Sequence, residues 1–392
     1  MPEPTPTPDP APAPAPAPAP KLPLSGVTVL DLTRLPPGGF CTVLLADLGA
    51  DVIRIESPKG RLFDGPIGLN RGKRSFALDL RHPRGLDVLR TLAGHADVLV
   101  ENERPGAMDE RGFGYGHAAA RTPRLIWCSI TGFGQDGPYA QWSGHDLSFA
   151  AHSGLLTALN PEQPWHPQLI LPIPVGALMA CVGILAALRE RDRTGTGTQL
   201  DISLSESATW LLSSADGIID RGPRGVPLGP DRRVYECADG TWVAVTAAEP
   251  RTWAALCGAL GLDDLAGSLH RWDDAEAATE RVAAALRARR AEDWVAELGP
   301  LGASVVRVNR GQDLPDDPHV AARGLLQTVG DLTVPRSPIR LRDGAAAEER
   351  PPAATYPPPP VGEHTRAVLT EAGLSADLID ELHDCGAVGR RA

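Results

Sequence analysis

The sequence lacks the features that mark metal-binding, nucleic-acid-binding and secreted proteins. Its six cysteines include no Cys-x-x-Cys pair, and four stand among apolar neighbours, which is typical of buried free thiols and argues against a zinc site. Lysine and arginine number 38 against 49 aspartates and glutamates, for a formal net charge of -11 at pH 7. Neither nucleic acid nor a membrane surface is therefore expected as a partner. The chain does not open with a basic region and an apolar core, so we expect a cytoplasmic protein.

Long hydrophobic runs are scarce as well. Residues 169–188 approach the length that crosses a membrane, but Pro172 and Pro174 interrupt this run. The run therefore predicts a buried helix that begins near Val175 rather than a membrane-spanning segment. Residues 1–22 are mostly a proline and alanine repeat that cannot bury apolar surface, which predicts a disordered tail.

The rest of the sequence has the composition of an ordinary globular protein. The chain has 392 residues, of which 42% are hydrophobic, enough for about two domains. Apolar segments at residues 27–32 and 51–56 flank a turn at 36–39 and a predicted helix at 40–48, an order that predicts a βαβ unit with parallel strands. The turn lacks Gly-x-Gly-x-x-Gly, so the dinucleotide fingerprint is absent. Further predicted strands lie at residues 76–80, 97–101, 125–130 and 199–203.

A second domain is indicated by a change of pattern after a segment rich in glycine, proline and arginine. We predict this segment to be a linker at residues 216–230. The hairpin signal Asp239-Gly240 follows between two predicted strands, and helical segments come next. The pattern predicts a small α/β domain at residues 231–324, between a large domain at residues 23–215 and a return of the chain to it at residues 325–392.

Cations recur at the carboxyl ends of the predicted strands, where ligands of parallel sheets bind. Arg34 follows the first strand and Arg104 follows a later one, while residues 70–75 hold a cluster formed by Arg71, Lys73 and Arg74. Such a cluster is more often a solvated loop than a site. Its functional interpretation is a phosphate clamp, because guanidinium groups match the geometry of phosphate oxygens.

A possible acid or base follows the strand predicted at residues 125–130. Thr131-Gly132-Phe133-Gly134 is a glycine-rich turn whose backbone can approach a ligand closely, and Gly144-His145-Asp146 comes soon after it. The imidazole of His145 could carry a proton near neutral pH. A loop histidine taken alone is more often a surface or structural residue.

Eight motifs occur in a fixed order along the chain. One is Asn-Arg-Gly-Lys-Arg-Ser and another is Thr-Gly-Phe-Gly-Gln-Asp-Gly-Pro. On these motifs, residues 24–388 resemble the family III CoA-transferases of CaiB/BaiF type, the superfamily that includes α-methylacyl-CoA racemase. The motifs lie at residues 45–56, 70–75, 100–108, 131–138, 182–188, 238–245, 317–324 and 362–365.

This resemblance implies a Rossmann-like parallel-sheet large domain built from both ends of the chain, a smaller α/β domain between them, and an interlocked homodimer. It also implies an acyl or acyl-CoA substrate, with no metal and no cofactor beyond the coenzyme A moiety of the substrate. The residues at positions that match the binding of coenzyme A are Arg34, Arg71, Lys73, Arg74, Asn102, Arg104, Gly132 and Gly134.

Within the family, Gly-His-Asp at this place is similar to the racemase branch. There the histidine is one of two bases that flank the α-carbon of the acyl thioester, and the glutamate of a Glu-Pro motif supports it. The matching candidates for catalysis are His145, Glu249 and Asp146, and the backbone amides of residues 132–134 could stabilise an enolate oxygen. Glu249 has a second interpretation as an ordinary carboxylate at a helix N-terminus.

The sequence departs from the family at one position. The family places an aspartate, the nucleophile of the transferases and the second base of the racemases, where this chain has Pro172 or Ile173. No aspartate or glutamate occurs between Glu162 and Glu190. We therefore expect no standard CoA transfer, because that chemistry forms an anhydride on the carboxylate. Three alternatives stay open: one-base α-proton transfer by His145, a binding protein without catalysis, and CoA transfer through another nucleophile.

Overall fold

The computed structural model describes residues 21–34, 36–60, 67–214, 219, 229–343 and 348–389. The predicted N-terminal tail and linker lie almost wholly outside these residues. The chain divides into two compact units. The first consists of Met1–Leu156, His166–Ser213 and Gln327–Ala392, and the second of Thr157–Trp165 and Ser214–Leu326. The first unit thus takes residues from both ends of the chain, and residues 231–324 fall inside the second.

A parallel sheet of six strands forms the centre of the first unit. Its order is β3-β2-β1-β4-β5-β6, the order of a Rossmann fold, which confirms the predicted α/β class. From β1, successive strands are added towards one edge of the sheet up to β3, and from β4 they are added towards the other edge. The order of strands therefore reverses between β1 and β4, and ligands of such sheets bind at that point. The strands are β1 (Thr28–Asp31), β2 (Asp51–Glu56), β3 (Arg74–Ala77), β4 (Val98–Glu101), β5 (Ile126–Thr131) and β6 (Gln199–Ser203).

Helices cover both faces of this sheet, and alternate strand residues enter two separate apolar layers. Leu30 and Trp127 pack into one layer, whereas their neighbours Val29 and Cys128 pack into the other. Both faces are therefore buried, which explains why the strands are almost continuously apolar. The helices are α1 (Pro36–Asp47), α2 (Pro83–His95), α3 (Ala107–Glu110), α4 (Tyr115–Arg121), α5 (Asp146–His152), α6 (Leu155–Leu159), α7 (Pro172–Thr194) and α8 (Leu204–Trp210), with Thr365–Glu371 and Ala376–Asp384 near the C-terminus.

The turn predicted at residues 36–39 is wrong, because α1 already begins at Pro36. Proline fits the first helical turn, where its missing N–H would have no helical partner. The glycines are explained by packing. A Cβ atom on Gly38 would overlap the Thr33 side chain, so this glycine lets the helix start directly against the end of β1.

Helix α7 likewise begins earlier than the predicted start near Val175. Pro172 occupies its first turn and Gly195 ends it with a φ of 80°. In the described part of the chain, α7 is the one helix long and apolar enough to cross a membrane by length and composition. One of its faces, with Ala177, Ala180 and Ile184, is fully buried in the first unit, as a core helix requires.

The second unit contains the antiparallel sheet β7-β8-β9, with strands Arg232–Glu236, Trp242–Thr246 and Val305–Arg307. The predicted hairpin is present, and Gly240 has the positive φ, 70°, that its turn requires. Helices Pro250–Leu260, Ala275–Leu286 and Ala291–Leu298 pack on the sheet around the buried Trp253. The helix Pro318–Arg323 follows. The chain then returns to the first unit with two strand pairs, Leu326–Val329 with Leu332–Pro335 and Leu341–Asp343 with Glu348–Arg350.

A buried ion pair joins β1 to the segment before β3. The Lys73 ammonium lies 3.0 Å from Asp31 Oδ2 and donates to Thr42 Oγ1 at 2.7 Å, and the side chains of both charged residues are only 1% exposed. Burial disfavours the Asp31 carboxylate, but the Lys73 charge and the Thr33 hydroxyl outweigh burial and lower its pKa. An ion pair so deeply buried leaves a costly unpaired charge when either partner is removed.

We predict that Lys73→Met lowers the free energy of unfolding by about 3–5 kcal/mol, because it leaves Asp31 charged, buried and unpaired. Chemical denaturation at neutral pH measures the loss. Because the pKa of Asp31 is lowered, the stability that its ionised form adds is complete above about pH 4 and declines as the pH falls further. Arg84→Met is the control, since it removes an exposed pair with Glu381 and should cost less than about 1 kcal/mol. Equal losses in the two variants would contradict the prediction.

Candidate functional site

The residues at the reversal point of the sheet are linked by hydrogen bonds. The Arg34 N–H, just beyond β1, donates to Asn102 Oδ1, just beyond β4, at 3.1 Å. The Arg34 guanidinium is 61% exposed and lies 3.1 Å from Glu103, which also pairs with Arg111 at 3.3 Å. Asn102 therefore holds the two strand ends together, and Glu103 shares its charge between two arginines.

Arg104 connects this edge to the segment that contains His145. It is exposed, and its Nη2 donates to Ser143 Oγ at 3.2 Å. Gln141 Nε2 adds a second link to Pro105 O at 3.0 Å. Within the described ranges, no carboxylate lies at ion-pair distance from Arg104. Its positive charge is therefore available to an anion beside the loop that leads to His145.

The three cations of residues 70–75 have carboxylate partners within the fold. Arg71 is buried against Asp47, and burial raises the pKa of Asp47 to about 6 although the guanidinium opposes this rise. Lys73 pairs with Asp31, as described above. Arg74 pairs with Asp51 at 2.9 Å and with Glu371 at 2.8 Å. The sequence offered a solvated loop or a phosphate clamp for these cations, and the structure pairs each of them with a carboxylate. Their distant carboxylate partners, among them Glu371, gave no local signal in the sequence.

The glycine-rich turn after β5 is shaped by packing against α5. Gly134 has a φ of 93°, and its N–H donates to Thr131 Oγ1 at 3.0 Å, so this amide closes the turn. A Cβ atom on Gly132 would lie 2.5 Å from the Phe149 ring, and one on Gly144 would lie 2.7 Å from it. The two glycines therefore let the turn and the start of α5 enclose the buried Phe149.

His145 lies exposed at the N-terminus of α5, where its N–H donates to Ser148 Oγ at 3.4 Å. The next residue, Asp146, accepts hydrogen bonds from the Leu171 and Ile173 N–H groups, both at 3.0 Å. Pro172 stands between these donors. The Asp146 carboxylate thus caps the start of α7, and it ties the residue next to His145 to the segment 171–173, where the family resemblance would place an aspartate.

Glu249 belongs to the second unit, where it precedes helix Pro250–Leu260. It is exposed, and its Oε2 accepts a hydrogen bond from Thr252 Oγ1 at 3.1 Å. This contact is the helix N-terminal role that the sequence left open for it. Candidate catalytic residues thus occur in both units, with His145 and Asp146 in the first.

The structure adds a histidine that sequence reasoning did not select. His152, at the last turn of α5, has its Nδ1 atom 2.6 Å from Ser205 Oγ. Its ring also makes edge contacts with Phe133 and Tyr139, at centroid distances of 5.5 and 5.2 Å. The sequence spacing of i, i+4 and i+7 between His145, Phe149 and His152 was the signal that could have revealed it, although His145 itself stands just before the helix. In the described residues, no group of three or more His, Cys, Asp or Glu side chains is arranged to hold a metal ion.

Comparison with known proteins identifies the family. The model of CoA-transferase family III matches residues 24–365. The chain is 33% identical over 374 residues to the alpha-methylacyl-CoA racemase of Homo sapiens, an alignment that covers 92% of this chain and 96% of the relative. It is 31% identical over 389 residues to the succinyl-CoA:glutarate CoA-transferase of Mus musculus, which covers 89% and 86% of the two chains.

Solved structures agree with this result. A CAIB/BAIF family protein from Brucella suis is 28% identical and superposes with a TM-score of 0.77 over 90% of this chain and 100% of its own. The shared fold, the length of the family match and the identity to curated relatives together show that the chain belongs to CoA-transferase family III.

Proposed function

We propose that the protein is a racemase-like enzyme that moves the α-proton of an acyl-CoA thioester, with His145 as an acid–base residue. The observation that carries the proposal is the position of His145. It is exposed at the start of α5, at the end of the loop that Arg104 contacts through Ser143, and next to Gly144, which packs on Phe149 as Gly132 of the turn does. The similarity to alpha-methylacyl-CoA racemase supports an α-branched acyl group as the substrate class.

The chemistry requires a base of near-neutral pKa and a means to stabilise the enolate. A thioester acidifies its α-hydrogen, His145 takes that proton, and the electron pair moves to the carbonyl oxygen. Return of the proton to either face of the carbon completes an epimerisation or an isomerisation. The backbone N–H groups of Gly132 and Phe133 are the proposed donors to the enolate oxygen. The N–H of Gly134 is not among them, because it donates to Thr131 Oγ1. Glu249 stays a candidate catalytic residue on the strength of its exposed carboxylate and its motif.

Coenzyme A is the proposed carrier of the acyl group. Arg104 and Arg34 are the exposed cations at the reversal point of the sheet, where ligands of parallel sheets bind. They are the favoured contacts for its phosphates, because Arg34 is 61% exposed although it pairs with Glu103, whereas Arg71 and Lys73 are buried and Arg74 is only 17% exposed. Because no carboxylate stands between Glu162 and Glu190, we do not propose transfer through an aspartyl anhydride.

We predict that the enzyme exchanges the α-hydrogen of a 2-methylacyl-CoA for deuterium in heavy water. His145→Ala should reduce this exchange for at least one enantiomer by about 100-fold or more, because a positioned acid–base group contributes that much. Mass spectrometry of the recovered thioester measures the rate, and calorimetry with coenzyme A checks that the variant still binds. A bound thioester that shows no exchange with the unmodified enzyme would refute the proposed function.

Asp146 has the proposed role of positioning His145. Asp146→Ala removes the acceptor for two backbone N–H groups at the start of α7, so we expect a loss of about 2–3 kcal/mol in the free energy of unfolding. Denaturant titration gives the value, and the exchange rate should fall with it. Asp136→Ala removes an exposed carboxylate from the loop before α5 and serves as the control, with an expected change within about 0.5 kcal/mol. Wild-type stability in Asp146→Ala would argue against the positioning role.

We also propose the homodimer that the family resemblance implies. Leu178, Val182 and Leu185 are exposed at i, i+4 and i+7 along α7, and they form an apolar stripe on the face opposite the core. A second copy of the chain is the proposed cover for this stripe. The interlocked form would bury it permanently.

The dimer is tested by sedimentation velocity. Val182→Glu places a charge in the centre of the stripe and should shift the chain from dimer to monomer at micromolar concentration. Arg189→Glu introduces the same residue at an exposed position of the same helix and should leave the dimer unchanged. A monomeric unmodified chain would rule out the dimer, and a dimeric Val182→Glu variant would place the interface elsewhere.

A further inference from the structure

A histidine and serine pair lies at the far end of α5. The Nδ1 atom of His152 is 2.6 Å from Ser205 Oγ, a short hydrogen bond between neighbouring elements. Ser205 is buried, with 2% of its surface exposed, whereas His152 is exposed. The buried hydroxyl therefore fixes one ring nitrogen, and the other, Nε2, is left as the nitrogen that can meet a ligand.

The pair is attached to the glycine-rich turn of the proposed site. The Ser205 N–H donates to the Gly132 carbonyl oxygen at 3.0 Å. The His152 ring makes edge contacts with Phe133 of the turn and with Tyr139, which itself stacks on Trp142 at 4.0 Å. Among the described aromatic residues that contact the His152 ring, Tyr139 is the one with a titratable group. Aromatic side chains thus hold the imidazole against the turn rather than leaving it mobile.

His145 and His152 stand at opposite ends of α5. His145 is the residue just before the helix and has an extended backbone, whereas His152 is the last residue of the helix, so their Cα atoms are offset by about 10 Å along the helix axis. Phe149, between them in the sequence, is the ring that the turn encloses. Two bases that each approach a carbon to about 3–3.5 Å have their nitrogens roughly 6–7 Å apart, a span that two imidazoles leaning together from this offset can meet.

We propose that His152, oriented by Ser205, is a second acid–base residue of this site and acts in place of the family carboxylate that is absent from residues 163–189. The inference rests on the proposed function. One histidine removes the α-proton as a neutral base, the electron pair forms the enolate, and the other histidine, as an imidazolium, donates its own proton to the opposite face. The proton count balances, and the two residues exchange roles in the reverse direction.

The mechanism assigns each enantiomer of the substrate to one histidine. With (R)- and (S)-2-methylacyl-CoA assayed separately in heavy water, His152→Gln should lose α-exchange from one enantiomer by about 100-fold or more and keep it from the other. His145→Ala should show the opposite preference. Both variants should lose racemisation. Glutamine can still bond Ser205 but carries no proton for transfer, so this variant keeps the packing of the pair.

His117→Ala is the control, because it removes an exposed histidine of α4 and should exchange both enantiomers at the unmodified rate. Loss of exchange from both enantiomers in His152→Gln, or from neither, would overturn the assignment of His152 and leave the proposed function standing. Lack of exchange in the unmodified enzyme would instead refute the proposed function together with this inference.

Ser205 is tested as a positioning residue. Ser205→Ala should change the pH profile of exchange only for the enantiomer that depends on His152, because the hydroxyl fixes the tautomer of that ring. The profile of the other enantiomer should coincide with that of the unmodified enzyme. A purely structural role would lower both rates without moving either profile, and that result would remove Ser205 from the proposal.

Discussion

The Asp31 carboxylate at the end of β1 is the interaction on which the ligand-binding edge of the sheet depends. Thr33 donates to it twice, Thr42 donates to it from α1, and the Lys73 ammonium neutralises it from the segment before β3. These contacts fix Thr33 just beyond β1 and, with it, the neighbouring backbone of Arg34. A buried carboxylate with all these donors is expensive to disturb, so the edge that carries Arg34 and Asn102 is rigid before any ligand arrives.

Helix α5 performs the corresponding task for the proposed site. Its first residue, Asp146, caps α7, its Phe149 is enclosed by Gly132 and Gly144, and its His152 bonds Ser205 of α8. One short helix of seven residues is thus attached to α7, to the turn after β5 and to α8. Chemistry of the proposed kind needs proton carriers held in fixed orientation, and these contacts supply that fixation at both ends of α5.

Much of the fold could be predicted from local pattern. β6 begins and ends where the apolar pattern predicts, at residues 199–203, and the hairpin predicted at Asp239-Gly240 is present. The start of α1 could not, because Pro36 and Gly38 read locally as turn residues. Only the packing of Gly38 on Thr33 shows why a helix begins there. Nor could the sequence show which carboxylates pair with the cations of residues 70–75, since pairs such as Arg74 with Glu371 join segments far apart in the chain.

The sequence by itself determined the family, the parallel α/β architecture, the presence of His145 and the absence of any carboxylate from residues 163–189. Each depends on residue identity or on periodicity along the chain, and both can be seen without coordinates. Tertiary structure decided which charges are exposed and which are buried in internal pairs, and it brought His152 to Ser205 across 53 residues. The physical reason is that burial and pairing are set by which segments fold against one another, and local sequence does not encode those partners.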